Sequence, residues 1–261
     1  MTGITFLVLL LIITAIVLLV FKPFSTAVKS PQSSSTTAQT ASKSSQKSSS
    51  PAQSATSAST SSSSSTSTNK IPASASKNDW QLVLVNLKNP KPEMNPDLVT
   101  LGHIQVDARI AQSAEEFLAA AQTIDPNVHL ISGYRSVAYQ TELFNGYVQQ
   151  TMNENPGWTQ AQAKAEVMKT SQPPQSSEHE TGLAMDMSAI DELNAEDPAT
   201  ASAIAAMAPE YGFVLRFPSW GTSSTGIDYE DWHFRYVGVE NAKYMTEHQL
   251  TLEDYLSKLD N

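Results

Sequence analysis

The chain shows three successive patterns of hydrophobic and polar positions. Residues 4–21 contain no charged side chain, and their only polar residues are two Thr. Residues 30–69 contain 19 Ser and seven Thr and no apolar side chain larger than Pro. From residue 79 onward, apolar residues recur at the spacings of amphipathic helices and short strands. The pattern therefore divides the chain into a hydrophobic segment, a polar tract and a folded domain.

The hydrophobic segment has the length of a membrane span. A helix over residues 4–21 would nearly cross a hydrocarbon core about 30 Å thick. It lacks the polar stripe that helices in protein cores usually carry. We therefore interpret residues 1–22 as an N-terminal membrane anchor, a single transmembrane helix. A cleaved signal peptide is the alternative, although the segment has neither a basic n-region nor a clear small-residue cleavage site.

The polar tract is predicted to be disordered. A stretch so rich in Ser and Thr cannot bury enough apolar surface to offset the conformational entropy of its chain. We assign residues 23–78 to a flexible Ser/Thr-rich linker, or tether, that joins the anchor to the domain.

Residues 79–261 have the length of one domain with an adequate core. Their helical and strand-like segments follow one another without a regular βαβ alternation, which favours an α+β fold. We expect a single compact domain with a small antiparallel sheet flanked by helices. The predicted helices cover 109–121, 137–152, 159–169, 199–208 and a short segment from 251. The predicted strands cover 80–87, 128–132, 213–217 and 232–237.

Charge and cysteine content exclude several functions. All 26 acidic residues follow residue 78, with ten of the 16 Lys and Arg, so the domain carries a formal charge of −16. Such a domain repels phosphate backbones, and we expect no binding to nucleic acid. The absence of cysteine removes disulfides, thiolate metal ligands and a cysteine nucleophile.

Two short segments contain the candidate chemistry. The first runs from Ser177 to Asp186 and includes His179, and the second runs from Glu230 to His233. Two His and one Asp match the three protein ligands of a catalytic zinc, which keeps a fourth position open. A carboxylate beside the metal must then accept the proton of the attacking water. Glu230 is the candidate base, provided that the chain turns between it and His233 or that Glu230 lies at a bend just before the strand.

These motifs resemble a known family. S-x-H-x-x-G-x-A-x-D from Ser177, followed by E-x-W-H from Glu230, is similar to the signature of VanY-type D-alanyl-D-alanine carboxypeptidases, which are zinc metallopeptidases and include related L,D-carboxypeptidases. Both motifs are complete, and the similarity extends over residues 80–257. The resemblance implies that His179, Asp186 and His233 bind Zn²⁺ and that Glu230 is the general base. It also implies that three residues contact the substrate: Arg135, Gln140 and Ser177.

The resemblance implies a carboxypeptidase that removes the C-terminal D-Ala from peptidoglycan stem peptides by a D,D- or an L,D-cut. The alternatives are a non-catalytic peptidoglycan-binding or signalling module on the same fold, and a cell-wall endopeptidase. Because this substrate lies outside the membrane, we expect the domain to be extracellular, on the cell-wall side. The Lys residues after the anchor alone would indicate the opposite orientation. We expect a monomer.

The chain departs from the family pattern at two positions. Gln175 stands where many relatives have Gly, so the loop before the first motif is expected to differ in conformation. Asp231 replaces the usual Pro between Glu230 and Trp232, which is expected to relax the backbone beside the base. Neither change removes a predicted catalytic group.

Overall fold

The computed structural model describes residues 70–259. Six strands lie in this part of the chain: β1 (Leu98–Leu101), β2 (Ile104–Asp107), β3 (His129–Ser132), β4 (Ala184–Ser188), β5 (Phe213–Leu215) and β6 (His233–Tyr236). It also contains seven α-helices: α1 (Ala111–Ile124), α2 (Val137–Glu154), α3 (Gln160–Val167), α4 (Pro198–Met207), α5 (Thr222–Thr225), α6 (Val239–Glu247) and α7 (Leu252–Lys258). Strands β3, β4, β6 and β5 form an antiparallel sheet in that order, and β1 pairs with β2 in a separate hairpin. The predicted α+β class is confirmed.

The main core lies between the four-stranded sheet and helix α1. Phe117 of α1 is completely buried, and its ring lies 5.3 Å from Phe213 and 5.1 Å from Phe234, measured between centroids. Phe213 and Phe234 belong to adjacent strands, so one helical side chain packs on both. This packing supports β6, the strand that carries the second motif.

A second cluster joins helices α6 and α7 to the sheet through Val214 and Val237. Ile71 and Ala75, which the sequence analysis assigns to the linker, also pack against it. None of the helices within residues 70–259 has both the length and the hydrophobicity that a membrane span requires. The predicted anchor and residues 23–69 of the predicted linker lie outside the described residues.

The predicted strand over residues 80–87 is wrong. Trp80–Leu82 forms a 3₁₀ turn instead. The carbonyl groups of Gln81 and Val83 accept hydrogen bonds from Nη2 of Arg235, at 3.0 and 2.8 Å. Because a buried side chain takes these carbonyls, they are not available to a neighbouring strand. The predicted segments leave out four features of the described chain: the β1–β2 hairpin, strand β4, and helices α5 and α6.

Candidate metal and catalytic site

Strand pairing brings the two motifs together. Asp186 lies in β4, which is buried along its whole length, and is paired with His233 of β6. His179 belongs to a 3₁₀ turn, Glu178–Thr181, that precedes β4. Gly182 ends this turn in the left-handed region, with φ of 71°. This turn directs His179 back toward Asp186 and its partner His233, so that His179 and His233 meet although they are 54 positions apart in the sequence.

The three predicted ligands converge on one point. Oδ1 of Asp186 lies 3.4 Å from Nε2 of His179 and 3.2 Å from Nδ1 of His233. One donor atom from each residue lies within 4.8 Å of the others. Oδ1 of Asp186 is buried and has no hydrogen-bond partner among the described residues. A buried, unpartnered carboxylate oxygen between two imidazoles fits a bound cation.

Hydrogen bonding fixes the orientation of His179. Nδ1 of its ring lies 2.8 Å from the carbonyl oxygen of Gly133, so this nitrogen carries the proton and donates it. Nε2 is then left with its lone pair on the side of Asp186. Burial, reinforced by the charge of Arg135, lowers the pKa of His179 to about 4, which keeps its ring neutral as a metal ligand must be.

The surroundings of His233 favour positive charge. Burial alone would lower the pKa of His233, but the carboxylates of Asp186 and Glu178 outweigh this effect and raise it to about 9. Glu230 acts in the same direction when it is ionised. The carboxylates therefore favour positive charge here, either as a proton on His233 or as a metal ion that displaces this proton.

Glu230 lies beside this metal site. Its Oε2 is 3.7 Å from Nδ1 of His233, and its backbone N–H donates to the carbonyl of Phe217 at 3.1 Å. The chain turns before β6 begins, as the predicted role requires. Burial raises the pKa of Glu230 to about 8, and the opposing charge of His233 only partly counteracts it. A carboxyl group with such a pKa can both accept and return a proton near neutral pH.

The three residues expected to contact the substrate lie in different environments. Arg135 and Ser177 line the cavity in front of the metal site. Arg135 donates to Oδ2 of Asp186 at 3.0 Å and to Oε1 of Gln140 at 3.3 Å. Gln140 is fully buried, does not line the cavity, and donates to the carbonyl of Gln172 at 2.6 Å. This placement differs from the predicted substrate contact, because Gln140 lies behind Arg135 and can position it.

A buried ionic network, which was not among the predicted features, lies behind His233. Oε1 of Glu178 accepts hydrogen bonds from Nε of Arg216 and Nη1 of Arg235, both at 2.9 Å. Arg216 also donates to both carboxylate oxygens of Glu253, at 2.9 and 2.7 Å. Burial alone would raise the pKa of Glu178, but the two guanidinium groups hold it well below its usual range.

The second oxygen of Glu178 faces the metal site. Oε2 of Glu178 lies 3.7 Å from Nε2 of His233, and neither atom has a hydrogen-bond partner among the described residues. Carboxylates behind metal-binding imidazoles orient the ring and increase its basicity. The sequence offered only a partial signal: two of the four Arg of a very acidic domain, Arg216 and Arg235, fall within the predicted strands 213–217 and 232–237.

A cavity of about 450 Å³ opens over these residues. Its lining also includes polar and apolar residues from three other segments, residues 84–89, 170–172 and 223–227. This volume lies within the range of small-ligand sites. The arrangement can hold a metal ion at the base of a cleft, with a carboxyl group and a guanidinium group beside it.

Comparisons with known proteins agree with this geometry. Residues 103–239 match the model of the VanY family, described as D-alanyl-D-alanine carboxypeptidase. A D-alanyl-D-alanine carboxypeptidase from Enterococcus faecalis is 33% identical over 183 residues, which cover 69% of this chain and 67% of the relative.

Two solved structures share the fold. VanYB in complex with D-alanine-D-alanine is 32% identical, with a TM-score of 0.62, over 70% of this chain and all of that one. A variant of the vancomycin resistance D,D-pentapeptidase VanY from a VanB-type resistance cassette, in complex with Zn(II), is 34% identical. Its TM-score is 0.60 over 68% of this chain and 99% of that one.

Proposed function

This chain belongs to the VanY family of D-alanyl-D-alanine carboxypeptidases, and we propose that it is a zinc-dependent enzyme that removes the C-terminal D-Ala from peptidoglycan stem peptides by a D,D-cut. The observation that carries this proposal is the convergence of His179, Asp186 and His233 beside the buried carboxyl group of Glu230. The relative that contains D-alanine-D-alanine supports the choice of substrate.

The donor set fits Zn²⁺. Two imidazoles and one carboxylate are the ligands that catalytic zinc sites use, and Asp186 Oδ1 lacks any other partner among the described residues. A structural relative was solved in complex with Zn(II). When bound, Zn²⁺ would polarise the scissile carbonyl and lower the pKa of a neighbouring water.

Glu230 moves the proton in the proposed reaction. Its carboxylate accepts a proton from the attacking water and returns it to the leaving amino group of D-Ala as the peptide bond breaks. The raised pKa of about 8 suits this exchange, because neither transfer is then strongly uphill near neutral pH.

Arg135 recognises the free C-terminal carboxylate in this proposal. Of its five side-chain N–H donors, three are used by Ser132, Gln140 and Asp186. Two remain for a ligand, and the side chain keeps 16% of its surface exposed. An exopeptidase needs such a group, since a guanidinium distinguishes a terminal carboxylate from an internal amide.

The test uses the full chain with two soluble stem peptides, a pentapeptide that ends in D-Ala-D-Ala and a tetrapeptide that ends in one D-Ala. Release of alanine is followed by mass spectrometry, with the metal removed by a chelator and then restored. We expect zinc-dependent loss of one D-Ala from the pentapeptide. Cleavage of the tetrapeptide alone would indicate the L,D-cut, and cleavage only within cross-linked peptides would indicate an endopeptidase.

Two variants separate metal binding from proton transfer. Glu230→Gln should keep zinc and lose nearly all turnover, whereas His233→Ala should lose both. Glu142→Gln removes an exposed carboxylate from helix α2 and serves as the matched control. Near wild-type turnover in Glu230→Gln would exclude Glu230 as the base. Zinc bound without release of alanine from any substrate would favour a non-catalytic peptidoglycan-binding module.

We also propose that residues 4–21 anchor the chain in the cell membrane, with the domain on the cell-wall side. The uninterrupted apolar segment and the location of the proposed substrate support this orientation. Protease added to intact cells should degrade the domain, and its complete protection would refute the orientation.

A further inference from the structure

The peptide groups on both sides of Glu230 contact the same side chain. Nδ2 of Asn194 donates to the carbonyl oxygen of Tyr229 at 2.8 Å, and Oδ1 of Asn194 accepts from the backbone N–H of Asp231 at 3.2 Å. The N–H of Glu230 itself donates to the carbonyl of Phe217. Three consecutive residues are therefore held by the backbone or side chain of other segments, although the sequence predicts a relaxed backbone here.

Asn194 belongs to a loop that is tied to β4. The carboxylate of Glu196 accepts hydrogen bonds from Oγ of Ser188 at 2.8 Å and from the N–H of Ala189 at 2.7 Å. Ser188 is the last residue of β4, two positions after Asp186. The loop thus starts from the strand that carries one predicted ligand and reaches across to the segment that carries Glu230.

The backbone conformation of Asn194 makes this bridge possible. Its φ is 55°, in the left-handed region that Asn tolerates better than most residues. Asp231 contributes from the other side: its side chain is buried, and its carboxyl group faces the backbone N–H groups of Asn194 and Glu196. A proline at position 231 would have no N–H to donate, so this contact belongs to the chain's own departure from the family pattern.

We infer that Asn194 is a positioning residue for Glu230: its carboxamide bridges the peptide groups that flank the base and fixes the carboxyl group relative to the metal ligands. The inference rests on the proposed function, since it takes Glu230 as the base. Small displacements of catalytic groups cost large factors in rate, because the reacting atoms must be aligned before reaction. Loss of the bridge should therefore reduce turnover without changing ground-state binding.

The test compares two variants of the full chain with wild type. Asn194→Gly removes both hydrogen bonds and accepts the positive φ without strain. Asn194→Asp keeps the size of the side chain but replaces its donor with an oxygen that repels the Tyr229 carbonyl. Asn95→Gly is the matched control, because Asn95 is exposed and also has a positive φ, of 48°.

We expect kcat on the pentapeptide to fall about tenfold in both Asn194 variants, with KM and zinc affinity unchanged, and no change in Asn95→Gly. A purely structural role would instead lower the unfolding temperature and leave kcat of the folded enzyme intact. Glu230→Gln is measured in parallel. If it is inactive while both Asn194 variants keep wild-type kcat, the positioning role is refuted alone. If Glu230→Gln keeps its turnover, the proposed base and the positioning role both fail.

Discussion

Arg216 offers the sharpest test of the ionic network behind the metal site. Its guanidinium is 1% exposed and makes three hydrogen bonds at 2.9 Å or less, one to Glu178 and two to Glu253. Arg216→Met keeps an unbranched side chain but removes all three bonds. Glu178 would then remain buried and keep one guanidinium partner, Arg235, instead of two.

The expected cost follows from this geometry. Removal of one partner of a buried ion pair typically costs about 3–5 kcal/mol, because the remaining charge is left uncompensated. Since Arg235 still donates to Glu178, we expect the lower end, about 3 kcal/mol. For a domain of this size, such a loss lowers the unfolding temperature by about 6–12 °C.

The assay is urea unfolding of the full chain, followed by tryptophan fluorescence. A chelator is present throughout, because bound metal would stabilise the folded state and mask the difference. The control is Lys243→Met, which removes an exposed ion pair with Glu210 at 2.7 Å. We expect this control to change the unfolding free energy by less than about 1 kcal/mol. A change equally small in Arg216→Met would refute the importance of the network for stability.

Three further substitutions test separate features. Gln175→Gly should stabilise the fold by up to about 1 kcal/mol in urea unfolding, since Gln175 has φ of 69°; a loss of stability would contradict this. Gly182→Ala should destabilise the fold by about 2 kcal/mol or more, because the added Cβ would lie 2.9 Å from the backbone nitrogen of Asp107. A change in the unfolding free energy below about 0.5 kcal/mol would contradict this prediction. Glu178→Gln should weaken zinc binding about 10–100-fold in a chelator competition, because the carboxylate behind His233 becomes neutral; unchanged affinity would separate Glu178 from the metal site.

The sequence was most informative where local spacing determines the structure. Thr159 and Thr251 cap helices through their side chains, and Ser136 does the same for α2. The two motifs identified the candidate residues of the metal site. These residues come together only because β4 pairs with β6, and residue spacing does not specify this long-range contact.

The unpredicted β1–β2 hairpin had a local signal. Apolar residues flank Gly102-His103, and Gly102 has φ of 61°, as a two-residue hairpin turn requires. At Gln175, in contrast, the sequence predicted a difference in structure. A conformational change was expected because Gln replaces Gly, yet Gln175 itself has a left-handed backbone, and its N–H donates to Glu180 at 2.9 Å.

The ionic network could not be read from the sequence, because its members are 37 to 57 residues apart. Arg216 and Arg235 look like alternating polar positions of half-buried strands, and such positions usually face solvent. In the structure both side chains turn inward to Glu178. This inward direction depends on where β5 and β6 lie relative to the 3₁₀ turn before β4, which carries Glu178.

The carboxyl groups near His233 differ in a way that supports the proposed roles. Arg216 and Arg235 hold the pKa of Glu178 well below its usual range, and His179 and His233 do the same for Asp186, although burial opposes both effects. Glu230 lies in the same site, yet burial raises its pKa to about 8. Groups whose environments separate their pKa values in this way divide the tasks of a site between them. Asp186 and Glu178 remain charged and suit the binding and orientation of the metal ligands, which leaves Glu230 as the carboxyl group able to exchange a proton near neutral pH.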